Sequence, residues 1–318
     1  MSKILKYLPI IGLIIFIILL YNIGILNVIE EFKKVNIIFI IISFFFMIPS
    51  IYLKGLKWNI LTYTFSKKIK TVKYILFWLI GFHISLITPG KMGDLARGAY
   101  IAKEEKISIG KGLSTVIVDR VIDVVSIAII AVLTTLLFFR EYMSSIFFYY
   151  ALLITLGLIA GTAIIFSKKA TKKLLKPIYK FLIPKRIKEK FSIHFSEFYQ
   201  GIGKLLKNKR KLTISTFLTF GAWIMVFLQY YFLSLALNLN LTFLFLAFMS
   251  SLMLILQILP ISFSGIGVRD AIFIFLLGSA YSVIPSIAVS FSLLILFSDY
   301  MLSIPGWFLW AKNPISLK

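Results

Sequence analysis

The sequence contains no cysteine and only two histidines, His83 and His194, in 318 residues. Disulfides, thiolate catalysis and cysteine-based metal sites are therefore excluded, and two distant imidazoles are too few for a histidine-based centre. No metal and no cofactor is expected. Acids are scarce as well: 12 Asp and Glu stand against 35 Lys and Arg. Charge as a whole is thin, at 15% of residues, while 60% are hydrophobic and the mean hydropathy is +0.96. That composition excludes an ordinary soluble domain and belongs to a polytopic membrane protein. The net charge of +23 is no nucleic-acid signal, because the bases sit in short loops between apolar runs. Such a distribution reflects orientation against an anionic cytoplasmic leaflet, and no nucleic-acid partner is expected.

What the chain does have is a series of long apolar runs. Tyr7 to Ile29 is 23 residues without a charge and has no small-residue cleavage site, so it reads as a retained first span. Val35 to Leu53 is a second run long enough to cross. Lys54, Lys57, Lys67, Lys68, Lys70 and Lys73 follow with no acid among them, which puts that loop and the N-terminus on the cytoplasmic side. A third run, Tyr74 to Gly90, ends in Thr88-Pro89-Gly90-Lys91-Met92-Gly93-Asp94-Leu95-Ala96-Arg97, a broken and charged stretch that apolar sequence does not need. The basic segment 168–211, with 15 Lys/Arg against two acids, must also be cytoplasmic. Two clear spans, Val124–Phe139 and Tyr142–Ser167, precede it. Parity then predicts that the third run does not cross: it enters as a helix from about residue 74, turns at Pro89–Gly93 and returns through Leu95–Ala102.

Within 168–211, Ile187, Phe191, Phe195, Phe198, Ile202 and Leu205 recur at spacings of three and four, one face of a basic amphipathic helix. It lies either on the cytoplasmic leaflet or against the cytoplasmic ends of the spans. Leu212 to Val268 then runs 57 residues without a charge. A span at about 212–236, the polar turn Asn238-Leu239-Asn240 and a run stopping at Pro260 account for it. Gly265 to Tyr281 runs back, Pro285 interrupts, and Ser286 to Ala311 is a last span containing Asp299. The layout is span, hairpin, span twice over: 35–53, 74–102, 116–139, then 212–236, 243–281, 286–311. The fold expected is an all-α polytopic membrane protein of six full spans and two re-entrant hairpins, with eight full spans as the alternative. It forms one transmembrane domain over 1–318, divided into a first half (1–167), the basic segment (168–211) and a second half (212–318). The second set starts from the opposite side, as in an inverted-topology repeat.

The candidate site follows from the two breaks. The second is Leu259-Pro260-Ile261-Ser262-Phe263-Ser264-Gly265-Ile266-Gly267-Val268-Arg269-Asp270. Charge and broken backbone in a bilayer are tolerated only when buried in protein or lining a watery cavity. Lys91, Arg97, Arg120 and Arg269 supply positive charge, with Asp94, Asp119, Asp123 and Asp270 beside them. Pro89, Gly90, Gly93, Pro260, Gly265 and Gly267 break the backbone. A half-helix N-terminus presents free N–H groups and a positive dipole end, and with these cations the fitting ligand is a phosphate, that of a lipid headgroup. The alternative is that the charges are orientation-fixing ion pairs, with Asp94–Arg97 at i, i+3 and Arg120 paired to a neighbouring acid. His83 is expected to be packed or pore-lining, and Gln229, Gln257, Tyr230 and Tyr231 either line a cavity or bond between helices.

Pro89-Gly90-Lys91-x-Gly93-Asp94-x-x-Arg97, Val118-Asp119-Arg120-x-x-Asp123 and Leu259-Pro260-x-Ser262-x-x-Gly265-Ile266-Gly267-Val268-Arg269-Asp270 together resemble the flippase-like family, the transmembrane region of lysylphosphatidylglycerol synthases. Asp119 and Asp270 stand where that family carries Glu. The resemblance implies a region that moves a modified lipid between leaflets, beside or fused to an aminoacyl- or glycosyl-transferase. The longest hydrophilic segment here, 168–211, is too short for such a domain, so no enzyme activity is expected. The expectation is a transporter of phosphate-bearing lipids in the cell membrane, with both termini cytoplasmic and a separate transferase as a conceivable partner.

Overall fold

The computed structural model describes residues 3–65, 70–142 and 185–312, and isolated positions besides. The expected span Tyr142–Ser167 and most of the basic segment up to residue 184 fall outside them. Eleven α-helices make up the described chain: α1 (Lys3–Ile23), α2 (Ile25–Lys33), α3 (Ile37–Thr62), α4 (Thr71–Leu86), α5 (Ala96–Glu105), α6 (Ile109–Tyr142), α7 (Lys185–Lys207), α8 (Lys209–Ala236), α9 (Phe243–Leu256), α10 (Val268–Tyr281) and α11 (Pro285–Lys312). The protein is an all-α polytopic membrane protein. Among the described residues α3, α8 and α11 are long and apolar enough to cross, and the bent pair α1–α2 makes a fourth if taken as one. On α3, Ile37, Ile41, Phe45 and Ile48 share one face and are 65–68% exposed, an apolar stripe of the kind a membrane-crossing helix turns to lipid.

Local chemistry sets the helix ends. Asn36, Asn208 and Thr242 accept hydrogen bonds from the backbone N–H of Ile38, Lys211 and Phe245, which caps α3, α8 and α9. The expected first span Tyr7–Ile29 is not one rod. Gly24 adopts φ 85°, a conformation glycine reaches without strain, and α1 and α2 meet there at 80°. The Val35–Leu53 span also runs on, through Lys54 and Lys57 to Thr62, for a reason given below. Val124–Phe139 sits inside α6, whose 34 residues make about 51 Å of helix.

Both breaks are where the sequence puts them. Between α4 and α5, Pro89–Leu95 is a tight 3-10 stretch in which Gly90 and Lys91 have φ of 60° and 55°. Between α9 and α10, Ser264, Gly265 and Gly267 have positive φ. The two breaks meet. Ser264 Oγ donates to the Leu86 carbonyl at 2.7 Å, and a side chain at Gly90 would stand 3.0 Å from the Ile258 carbonyl oxygen.

The contacts follow a two-fold exchange of the halves. α3 packs along α8; α4 packs on α11 as α9 packs on α6; α5 lies on α6 as α10 lies on α11. Each hairpin's first helix is thus clasped by the last span of the other half. The apolar core fills the second half, with Phe245, Met249, Met253, Phe273, Leu277 and Phe291 buried, and Phe273 stacked on Phe291 at 5.3 Å. For the amphipathic helix α7, the structure selects packing over the leaflet. Tyr199, Ile202 and Leu205 are buried with Leu61 and Val118, and α7 crosses α6 where glycine replaces side chain: Gly201 against Ser114, Gly110 against the His194 carbonyl.

Candidate functional site

Six charged side chains from four segments form one buried network beneath the first break. Lys57 Nζ on α3 lies 2.5 Å from Asp123 Oδ1 and 3.1 Å from Asp119 Oδ1, both on α6. Arg97 Nη2 on α5 lies 2.6 Å from Asp119 Oδ2 and 2.8 Å from Asp94 Oδ2 in the break. Arg120 Nε on α6 donates to the same Asp94 oxygen. The Lys57, Arg97 and Asp119 side chains are fully buried, whereas Arg120 is 31% exposed. The Arg97 guanidinium also lies over the Trp58 ring at 4.8 Å, and the Trp58 indole N–H donates to Thr115 Oγ1 at 3.1 Å. Three cations against three carboxylates leave the network neutral, the condition for burying charge at all. This pairing is why α3 continues past Lys54: its lysine is neutralised from α6 and needs no loop.

Arg120 and Asp123 form one edge of a polar cavity that the network does not fill. Its walls include Lys54 of α3, Lys91 of the first break, Gln229 and Tyr230 of α8 and Asp299 of α11. The volume is about 60 Å³. A water needs about 10–15 Å³ on that measure, so a few waters or one tetrahedral oxyanion fit. No carboxylate lies within 4.0 Å of Lys54 or Lys91 among the described residues. The Lys54 ammonium instead sits 4.5 Å from the Trp223 ring and 5.3 Å from that of Trp78. The Trp223 indole N–H is buried without an acceptor among the described residues.

A second, apolar cavity of about 230 Å³ adjoins it, lined by Met92, Leu95, Ile117, Val124, Ile127 and Ile258. The two share Lys91, Arg120, Asp123, Trp223 and Leu254 as common walls. Beyond those shared walls the first compartment adds Lys54, Gln229, Tyr230 and Asp299, whereas the second adds mainly hydrocarbon, with Asp94 at its edge.

The second break carries its own buried pair of charges. Arg269 is 1% exposed; its Nε donates to Ser292 Oγ of α11 at 2.6 Å, and Nη1 and Nη2 have no partner among the described residues. Asp270 does not pair with it: Oδ2 accepts from the Gly267 N–H at 2.7 Å. Counting both breaks, Lys54, Lys57, Lys91, Arg97, Arg120 and Arg269 face Asp94, Asp119, Asp123, Asp270 and Asp299. With all ionised, one positive charge is uncompensated, and the centre is suited to an anion.

The structure therefore divides the four cations expected to hold phosphate. Lys91 and Arg120 line the polar cavity; Arg97 is enclosed in the ion network and Arg269 lies behind the wall. Arg120 does not pair with an acid of its own helix. Consecutive helical residues face apart, and Asp123, one turn on, is held by Lys57. The half-helix ends are not bare either. Thr88 Oγ1 takes the Gly93 N–H at 2.7 Å and Asp270 takes that of Gly267, because a buried N–H left open is costly. An anion here meets side chains before backbone. His83 bonds Ser303 at 3.2 Å, Gln229 lines the cavity while donating to Ser298 at 3.0 Å, and Gln257 donates to the Met253 sulfur. Pro89 and Pro260 start the two breaks. Lys54 and Lys57 were hidden among loop lysines, although Lys54, Lys57 and Trp58 at i, i+3, i+4 mark one helical face.

Comparison with known proteins agrees with this architecture. The family model described as lysylphosphatidylglycerol synthase TM region matches residues 4–306. A UPF0104 membrane protein of Pyrococcus horikoshii is 27% identical over 286 residues, covering 84% of this chain and 85% of the relative. Two UPF0104 membrane proteins of Methanocaldococcus jannaschii are similar as well: one is 27% identical over 292 residues (88% of this chain, 86% of the relative), the other 28% over 200 residues (61% and 78%). No solved structure matches the chain.

Proposed function

Because the chain belongs to the lysylphosphatidylglycerol synthase transmembrane-region family, and a cationic cavity in it adjoins an apolar one, we propose that it binds a phosphate-bearing lipid and carries it between leaflets. The juxtaposition of the two cavities is the observation that supports this most. Phosphate oxygens are received by Lys54, Lys91 and Arg120, with the Trp223 N–H as a neutral donor, and the first methylenes enter the compartment of Met92, Ile117 and Ile258. A free phosphate would use only the first compartment; an amphiphile uses both. The protein acts as a transporter in the cell membrane with both termini cytoplasmic, and not as an enzyme. A phospholipid and a polyprenyl-phosphate-linked lipid share the chemistry required.

The family description names a synthase region, which supports a second reading: the chain serves a separate aminoacyl- or glycosyl-transferase acting on the same lipid. Liposomes reconstituted with the protein and a panel of fluorescent phosphate lipids separate the readings. Transporter activity predicts that outer-leaflet quenching reaches the inner-leaflet pool, and that Lys91→Gln with Arg120→Gln abolishes this. Quenching that stops at the outer leaflet for every lipid, as in protein-free vesicles, rejects the transport reading.

A further inference from the structure

One acid in the cavity has no role in the network. Asp299 lies in the middle of α11, lines the polar cavity, and has neither a hydrogen bond nor an ion-pair partner within 4.0 Å among the described residues. Asp123, the other carboxylate in that wall, is fixed by Lys57 at 2.5 Å. The groups in electrostatic range of Asp299 are Lys91 of the first break, Lys54 of α3, Arg269 of α10 and Tyr230 of α8. On α4, His83 meets α11 at Ser303, one turn further along. On α10, Asp270 is held by the Gly267 N–H. Glu30 and Glu31 of α2 and Lys34 just after it adjoin the far end of α11 at Pro285 and Ser286.

Resting on the lipid-phosphate reading, we propose that Asp299 is a proton site that couples anion binding to proton uptake. In the empty cavity the ionised carboxylate balances Lys91 and Lys54. A phosphate entering the same space claims the same two ammonium groups, and two anions then share one dry pocket, which disfavours both being charged. Uptake of one proton from bulk water converts the Asp299 carboxylate to a neutral carboxyl and leaves both lysines to the phosphate. The proton returns to water once the lipid has left. Linkage makes the effect reciprocal: a proton on Asp299 strengthens anion binding by the factor by which the anion strengthens proton binding. A pH difference across the membrane then drives lipid movement in a chain with no nucleotide-binding motif.

The test uses the full-length protein in phosphatidylcholine nanodiscs and fluorescent phosphatidylglycerol, whose phosphodiester does not itself titrate between about pH 5 and pH 8. The wild type is expected to bind more tightly as pH falls, by up to about tenfold per pH unit where Asp299 titrates. Asp299→Asn is expected to bind tightly with no pH slope, and Asp299→Glu to retain one. Because nothing among the described residues bonds to Asp299, the asparagine strands no partner there. His83→Gln should keep the wild-type slope, which sets the imidazole aside. A wild-type slope that survives in Asp299→Asn, or a flat wild-type profile with measurable binding, overturns the proton site alone. Absence of binding at every pH in all folded variants overturns the lipid-phosphate reading and the proton site with it.

Discussion

The two breaks carry an arginine at the same place and treat it differently. Arg97 and Arg269 are each the second residue of the outgoing half-helix, four residues after Gly93 and Gly265. Each reaches the last span of its own half. There Arg97 meets Asp119 at 2.6 Å, whereas Arg269 meets only the Ser292 hydroxyl at 2.6 Å. Arg97 is neutralised twice, by Asp94 as well; among the described residues Arg269 has no carboxylate within 4.0 Å and keeps Nη1 and Nη2 unpartnered. One half has turned the shared position into a fixed corner, and the other has left its positive charge uncommitted. Two breaks that place an arginine alike therefore do not share electrostatics, and the asymmetry leaves the uncompensated positive charge at the second.

The largest effect should come from the fixed corner. Lys57→Met strands Asp123 and leaves Asp119 to Arg97 alone, and a buried pair broken from one side costs about 3–5 kcal/mol. Arg269→Gln strands no carboxylate and should cost clearly less by thermal unfolding in detergent; equal losses would erase the distinction between the breaks. Next, Lys91→Gln removes a charge-assisted contact of about 1.5–3 kcal/mol, which weakens phosphate-lipid binding by about one to two decades. Its melting temperature should stay near wild type, since no ion pair is broken.

The comparison can also be closed by hand. Ser292→Asp supplies the second arginine with the counter-ion the first already has, and is expected to add about 1.5 kcal/mol of stability while slowing lipid movement in proteoliposomes. A faster protein would mean that the uncommitted charge is a defect and not a device. The smallest effect is a control inside α8. A Cβ at Gly221 would meet only Leu53 Cδ1, at an ordinary 3.5 Å, so Gly221→Ala should gain about 0.8–1 kcal/mol of helix propensity and leave transport alone.

What the sequence revealed was set by how local the cause is. Both breaks were legible because Pro89, Gly90, Gly265 and Gly267 interrupt the helix at their own positions. The span that runs through Lys57 was not, since its neutralisation comes from a residue 66 positions away. For the same reason Arg120 was matched to the nearest acids along the chain when its partner is Asp94 across the break. Gly24 gave a local signal for the bend at α1–α2, but an apolar run hides one glycine. The packed position of α7 depended on Gly110 and Gly201 meeting, which periodicity on either helix alone does not show.

Lys57 has a consequence for the order in which the protein is made. Its counter-ion Asp123 follows 66 residues later. At about 5–20 residues per second the ribosome delivers it roughly 3–13 s after the lysine. During that interval α3 carries a full ammonium with nothing to neutralise it, so its C-terminal end must stay in contact with water or the insertion machinery. The helix can sink to its final depth only when α6 arrives and the network closes. In a Trp58→Cys variant that keeps Lys57, nascent chains stalled before residue 119 should therefore leave the thiol, at a position buried in the finished protein, open to a water-soluble thiol reagent, and chains stalled well past α6 should protect it. The network that holds the finished site in place also times its assembly.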